Sequence, residues 1–335
     1  MLSAREVKEK AAEVGFCACG LAPAGPLSAE RAGELRAWLA EGNHGEMKYL
    51  ERNLEMRLNP QLLVEGARTV VSVAANYFPG NLKELAAVEP GGWKLARYAY
   101  GTDYHMVVKR MLRELMGRLG LQEGESGRCF TDTAPVDEKY WAQQCGLGWR
   151  GRNGQIILPE FGSYIFLGEL ILREEADEYD SVATNRCGSC RRCVEACPGN
   201  ALLGDGTMDA RSCLSYLTIE YRGALPEGTG GKMGDCLYGC DRCSEVCPWN
   251  GHAVATKIGE FAPRAELLAM RPEDWLSLTE EEYRKLFRKS AVKRAKFEGL
   301  RRNIAALSSG ATREGVEEKR AYLHSEGEVR SEEKG

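Results

Sequence analysis

This 335-residue chain is most informative first through what it lacks. It has no apolar run long enough to span a bilayer, which excludes a helical membrane protein. Its first residues, MLSAREVKEKAAEVGF, read as a short amphipathic helix without the apolar h-region of a secretory signal, so a cytoplasmic location is expected. It has no strong net charge: the formal value is −4, and no global basic field announces a nucleic acid. With 43% hydrophobic and 28% charged residues, the composition is that of a globular protein with room for one large or two ordinary cores.

Cysteine is plentiful: there are thirteen. In a reducing compartment that number argues for metal rather than a disulfide framework. Seven fall in two runs, 187–197 and 240–247, with Cys213 and Cys236 between them. Cys17, Cys19, Cys129 and Cys145 stand in apolar surroundings and read as small buried hydrophobes. The first run, CGSCRRCVEACP, places Cys187, Cys190, Cys193, Cys197 and Pro198 at every position of C-x2-C-x2-C-x3-C-P, the bacterial ferredoxin spacing. Zinc prefers two separated pairs of ligands, so this spacing disfavours it.

The second run, CLYGCDRCSEVCPWN, has Cys240, Cys243 and Cys247 but carries Leu237 where the first cysteine should be. In two-cluster ferredoxins the fourth cysteine of each run serves the other cluster. By that rule Cys187, Cys190, Cys193 and Cys247 hold one [4Fe–4S] cluster. Cys197, Cys240 and Cys243 hold part of a second. Its fourth ligand is Cys213 or Cys236. Spacing does not decide, although a three-residue gap from Cys236 to Cys240 is unlike the run and favours Cys213. Two clusters within hopping distance imply a one-electron relay to a further redox centre.

The remainder divides by pattern. Residues 1–178 interleave strand and helix signals, which points to an α/β domain. RTVVSVAANYF (68–78) reads as a buried strand, and YHMVVKRMLRELMGRLG (104–120) as a helix stopped by Gly120. RCFTDTAPVDEKYWAQQCG reads as strand, turn and helix, with Pro135 in the first helical turn. NGQIILPEFGSYIFLGELIL reads as two strands joined by a turn at 159–162. Residues 179–255 are Gly- and Cys-rich, with little means of building an apolar core of their own, so clusters would have to organise them. Residues 256–310 return to helices, and 311–335 form a charged tail expected to be flexible. From Arg284 to Arg302 nine Lys/Arg face one Glu. Placed on one helix with Leu286, Phe287, Val292 and Phe297 inward, these form a basic surface suited to phosphates.

Taken in order, GEMKYLERN, GTDYH, DTAPVDEKYWA, GLGWRGRN, GSYIFLGELIL, the first cysteine run, DARSCLSYLTIE, YGCDRCSEVCPWN and LFRKSAVKRAKFEGLRRN make the chain resemble the epoxyqueuosine reductase family from Leu35 to Arg302. The resemblance implies an α+β fold: an N-terminal α/β cobalamin-binding domain, a ferredoxin-like module with two [4Fe–4S] clusters, and C-terminal helices. It implies reduction of epoxyqueuosine to queuosine in the anticodon loop of tRNA. It assigns the fourth ligand of the second cluster to Cys213 and leaves Cys236 a bystander. It assigns the proton-donor role to Asp132, whose alternative reading is a cap on the following helix. It places Arg57, Asp132, Asn153, Ser215 and Asp241 against the corrinoid, with Tyr104 and His105 lining the same cavity or serving structure. The corrinoid signature D-x-H-x-x-G is absent, since Asp103 and His105 are followed by Val108 where glycine is required. Lys289, Lys293, Arg294, Lys296, Arg301 and Arg302 would supply the tRNA contacts. The expected partners are a tRNA carrying epoxyqueuosine and an external low-potential electron donor, with no membrane and a monomeric chain. Two other readings share the cysteines: a corrinoid-dependent reductive dehalogenase and a non-catalytic electron-transfer subunit. The missing export signal argues against the first, and some 175 residues of ordered α/β sequence argue against the second.

Overall fold

The computed structural model describes residues 1–80 and 92–310, so the expected tail at 311–335 lies outside the described residues. No helix among them is long and apolar enough to cross a membrane. The described residues form eight strands: β1 Ala18–Pro23, β2 Thr69–Asn76, β3 Lys94–Leu95, β4 Gly127–Phe130, β5 Trp149–Arg150, β6 Ile156–Ile157, β7 Ile165–Leu172 and β8 Cys236–Tyr238.

Four of them form the central sheet, in the order β1-β2-β7-β4, with every pairing antiparallel. β2 is its heart. All eight residues are buried, because β-branched side chains alternate onto two covered faces. Val71, Val73 and Ala75 pack with the helices Ala4–Val14 and Tyr104–Arg118 on one side. Val70 and Ala74 pack on the other, against Trp141 and Ala142 of the helix Glu138–Gln144. Each of these valines, buried completely, contributes about 1.5–3 kcal/mol. Helix Tyr104–Arg118 lies so close to β7 that a Cβ at Gly168 would come within 2.9 Å of Val108. Both expectations for 68–78 and 104–120 match the structure, and Gly120 takes the left-handed φ of +69° that ends the helix.

Other local readings need correction. The two strands expected on either side of 159–162 are present, but they do not pair with each other: β6 pairs with β5, while β7 runs between β2 and β4. The turn at 159–162 leads from a small sheet into the large one. Pro135 is not in the first helical turn, because the helix begins at Glu138 with Asp137 as its cap. The basic stretch is not one helix. It is a helix Glu280–Leu286, a 3-10 turn Ala291–Ala295 and a helix Lys296–Gly310. Ser290, buried and extended, accepts from the Val292 amide and breaks the helix between the first two. Lys296 at φ +59° bends the chain between the second and third.

A third apolar cluster joins distant parts of the sequence. Leu95 and Tyr100 meet Leu214, Leu217, Leu237 and Tyr238, and then Trp275, Phe287, Val292 and Leu300. The parallel bridge between β3 and β8 fastens the same region. The segment between the cysteine runs therefore does bury apolar side chains, by sharing a core with the C-terminal helices. The first run itself does not. Among residues 181–200 none is buried, and the only regular element is the one-turn helix Arg192–Glu195.

Candidate active site

The chain leaves β4 at Phe130, and Thr131 donates its hydroxyl to the Leu167 carbonyl at 3.0 Å. Asp132 follows with φ +52°, a left-handed conformation that costs a residue with a Cβ some strain. Its backbone N–H donates to the Glu138 carboxyl, which fixes the loop from behind. The cap of the next helix is Asp137, which accepts from the Tyr140 amide at 3.3 Å and from Arg31 Nε at 2.7 Å. The Asp132 carboxyl is therefore not consumed by capping.

Two consecutive residues of helix Tyr104–Arg118 hold that carboxyl. The Tyr104 hydroxyl donates to Asp132 Oδ2, and His105 Nε2 lies 2.9 Å from the same oxygen. Behind the imidazole, Asp103 Oδ1 stands 2.7 Å from Nδ1 and also accepts the His105 amide, so one carboxylate caps the helix and orients the ring. Tyr104 is clamped between His105 and Phe166, at ring separations of 4.1 and 4.2 Å. The Asp132 side chain keeps 54% of its surface open, within a recess hemmed by protein. Burial works to raise its pKa, but the hydrogen bonds from His105 and Tyr104 outweigh burial and hold the carboxyl below the usual value. Burial likewise opposes charge on His105, yet Asp103 and Asp132 prevail and lift it to about 9. Near neutral pH the Asp132–His105 pair thus carries one proton. Beneath it, burial and then the charge of Asp132 push Glu138 up to about 8. Burial, together with Glu138, raises the fully buried Glu169 of β7 well above the carboxylate range. Both carboxyls are thus held towards their neutral forms, which keeps negative charge away from the sheet interior.

The other sequence-derived positions lie around this recess at varying distance. Arg57 donates to the Val136 carbonyl at 3.0 Å, which sets it beside the Asp132 loop, and its Nε has no partner. Asn153, 3% exposed at the tip of the β5–β6 hairpin, accepts from the Gln155 amide while its Nδ2 has no partner. Lys139 ties that hairpin to the first turn of the helix by donating to Gly154 at 2.7 Å. Asp241 is occupied: it accepts the Arg97 amide at 2.7 Å and the Arg97 guanidinium at 3.3 Å. Tyr98 lies within reach of both Asp241 and Asp132. Ser215 is half-buried in the short helix Leu214–Ile219, directly after Cys213, and no contact joins it to Asp132.

The thiols separate into two groups. Cys193 has Cys247, Cys187 and Cys190 for neighbours. Cys213 has Cys240 and Cys197, and Cys243 has Cys240 and Cys213. Cys236, buried on β8, meets Cys240 alone. No three His, Cys, Asp or Glu side chains among the described residues converge on a point as they would round a single ion. Of the remaining cysteines, Cys129 and Cys145 are buried as expected while Cys17 and Cys19 are half-buried, and burial pushes Cys17, Cys19 and Cys129 up to about 12, too high for ready ionisation.

The basic segment borders the recess. The Asp103 amide donates to the Lys289 carbonyl at 2.8 Å, and Lys293 is close enough to act on the Asp103 carboxylate. Arg288, Lys293 and Lys296 line a cavity of about 430 Å³ with Tyr283 and Phe297. Arg294 is spoken for, paired with Glu220 at 2.7 Å and lying 5.3 Å over the Tyr49 ring. Arg302 is not a phosphate ligand in waiting. Its guanidinium turns inward to the carbonyls of Leu217, Tyr221 and Gly223.

Sequence reasoning missed Tyr49, Tyr98, Glu138 and Glu169. Only Glu169 left a signal, as a charged residue in the otherwise apolar strand IFLGELIL.

Comparison with known proteins fits this geometry. An epoxyqueuosine reductase from Cyclobacterium marinum is 42% identical over 308 residues, which cover 91% of this chain and 97% of the relative. The chain belongs to the epoxyqueuosine reductase family. Residues 57–133, which end just past Asp132, match the family described as epoxyqueuosine reductase QueG, DUF1730. Residues 186–250, which contain both cysteine runs, match a 4Fe-4S double cluster binding domain. The solved epoxyqueuosine reductase from Streptococcus thermophilus superposes with a TM-score of 0.81 at 30% identity, over 91% of this chain and 80% of that one. An epoxyqueuosine reductase solved with an epoxyqueuosine-modified tRNA-Tyr stem loop superposes with a TM-score of 0.79 at 26% identity, over 91% and 80%.

Proposed function

We propose that the chain reduces epoxyqueuosine to queuosine in the anticodon loop of tRNA. The observation that carries this reading is the Asp132 carboxyl, uncapped, open to a recess, and held by Tyr104 and by His105 on its Asp103 support. Converting the epoxide to an alkene takes up two electrons and two protons and releases the oxygen as water. An acid must therefore stand at the leaving oxygen. The pair's single proton, held on His105 near neutral pH, passes through the Asp132 carboxyl to the leaving oxygen, and the second proton of the balance comes from solvent. The left-handed turn aims the carboxyl into the recess, and the Glu138–Glu169 pair behind it stays neutral enough not to repel its charge.

Cys187, Cys190, Cys193 and Cys247 would hold one [4Fe–4S] cluster, and Cys197, Cys213, Cys240 and Cys243 the other. Arg57, Asn153, Ser215 and Asp241 would contact a corrinoid beside Asp132. The unpartnered Arg57 Nε and Asn153 Nδ2 fit its amide and phosphate acceptors, because buried donors left without a partner are costly. When bound, these groups supply a low-potential cobalt centre and single-electron relays to it. Lys289, Lys293 and Lys296 hold phosphates while the modified nucleotide is splayed into the recess. In this division residues 1–178 carry the corrinoid and acid, 179–255 the clusters and 256–310 the tRNA surface. The chain acts as a cytoplasmic monomer with an external low-potential donor.

The test is direct. Epoxyqueuosine-containing tRNA is incubated anaerobically with the protein, cobalamin and dithionite, and its nucleosides are analysed. Queuosine should accumulate; none forming would overturn the assignment.

A further inference from the structure

The two thiol groups sit differently in the molecule. Cys243 of the second neighbours Tyr77 and Tyr164. Tyr77 packs on Phe166 at 4.4 Å, Phe166 stacks on Tyr104 at 4.2 Å, and Tyr104 donates to Asp132. Aromatic contact thus runs from Tyr77, which feels the charge of Cys243, to the acid. Three thiols of the first group, Cys187, Cys190 and Cys193, lie in the stretch 181–200 where no residue is buried. That group borders solvent.

Four arginines surround it. Arg152 donates to the carbonyls of Gly204 and Gly188 at 2.6 and 2.8 Å, which straps its charge across the Cys187 loop. Arg186, exposed, lies 5.9 Å over the Trp149 ring, and Arg191 and Arg192 are exposed within the run itself. Other arginines are paired with acids: Arg150 with Glu34, Arg211 with Asp209 and Arg242 with Asp235. The four around the first group make no such ion pair among the described residues. The acids on this surface are Glu195 and Asp205. Asp205 accepts from the Thr207 amide at 2.7 Å and from its hydroxyl; two carboxylates against four guanidiniums leave the balance positive. Leu203, 54% exposed beside Gly204, adds an apolar spot among the charges. The tRNA-facing lysines cluster instead at the acid recess, through Lys289 and Lys293 beside Asp103.

We propose that the arginine-rimmed surface over Cys187–Cys193 is the docking site for an acidic, low-potential one-electron carrier protein of the flavodoxin class. This rests on the reading that the first thiol group holds a cluster. Each encounter oxidises the carrier by one electron and reduces the cluster site by one, so two encounters match the two electrons one epoxide consumes. A positive rim round a solvent-bordering redox site steers a negative partner and should make association fall with salt.

The test uses the cluster-loaded protein and an acidic flavodoxin as probe. Binding of oxidised flavodoxin is measured by calorimetry at several ionic strengths, and electron transfer from its hydroquinone by anaerobic stopped-flow absorbance. Arg191→Glu/Arg192→Glu should weaken binding about tenfold or more and flatten the salt dependence. Iron content, reduction by dithionite and tRNA affinity should stay at wild-type values. If charge reversal lowers iron content, Arg191→Gln/Arg192→Gln is read in the same way. Wild-type flavodoxin affinity in the variant, or no saturable binding to the parent protein, overturns the proposal. So does a loss confined to tRNA affinity, which would make the patch a nucleic-acid surface. Failure of queuosine to form with dithionite would instead count against the function itself, whatever flavodoxin does.

Discussion

The strand Thr69–Asn76 and the loop 181–200 solve opposite problems. The strand is buried along its whole length, paired on both edges and covered by helices on both faces. The loop buries nothing, has one helical turn and carries four cysteines within eleven residues. A residue ordered without burial gives up conformational entropy with no apolar return. The strand's shape is thus set by the sequence's own hydrophobicity, while the loop's shape depends on what its thiolates bind. The residue proposed as the acid and one proposed to contact the corrinoid stand at the seam between these regimes: Asp132 follows a sheet strand, and Asp241 lies inside the second cysteine run.

The largest effect expected from this contrast follows removal of iron by anaerobic chelation. Limited proteolysis should then cut within 181–200 while the amides of β2 keep their protection from hydrogen exchange. Simultaneous loss of protection in β2 would show that the cluster region and sheet fold as one unit. The converse perturbation is Leu112→Ala, on the helix packed over β2 and β7. It should cost about 2–5 kcal/mol in denaturant unfolding and leave iron per chain unchanged. A fall in iron would erase the distinction. Within the cysteine region, Cys213→Ala should remove about half the iron, one cluster of two, whereas Cys236→Ala should retain nearly all of it. The reverse pattern would move the fourth ligand to Cys236.

The smallest effect concerns pH. The folded-state value of His105 is raised from 6.5 to about 9 by Asp103 and Asp132 against the opposing pull of burial. Its stabilising contribution is therefore complete below about 6.5 and is lost as pH rises through about 9. The proton on the Asp132–His105 pair is lost over the same interval. Turnover with dithionite should fall with a midpoint near pH 9, and His105→Gln should abolish that limb. Tyr104, Lys293 and Glu138 face the same cluster, so an unchanged limb in the variant would assign the titration to one of them.

Much of this arrangement was legible in the residues, and the unread part has physical causes. Period-two hydrophobicity marked β2, and a helical period with Gly120 marked Tyr104–Arg118, because both signals are local. Cysteine spacing marked the two runs, because cluster geometry constrains neighbours in the chain. The choice between Cys213 and Cys236 depended on which thiol reaches Cys197 and Cys240, a tertiary fact that came only through family resemblance. Pairing partners are equally nonlocal, so the residues could not say that β6 pairs with β5 and β7 with β2 and β4. Charge counting registered Arg302 as a cation for tRNA, yet it cannot tell a guanidinium facing solvent from one bound to three carbonyls. Asp132 resembled a cap until Asp137 was seen in that role.

The central claim is that Asp132 delivers the proton to the epoxide oxygen. Asn is isosteric with Asp and tolerates the left-handed turn at this position, so Asp132→Asn should fold and load normally. Queuosine formation from epoxyqueuosine-containing tRNA should drop about 100-fold or more, with iron per chain and the corrinoid absorption spectrum matching wild type. Wild-type turnover in that variant would contradict the account.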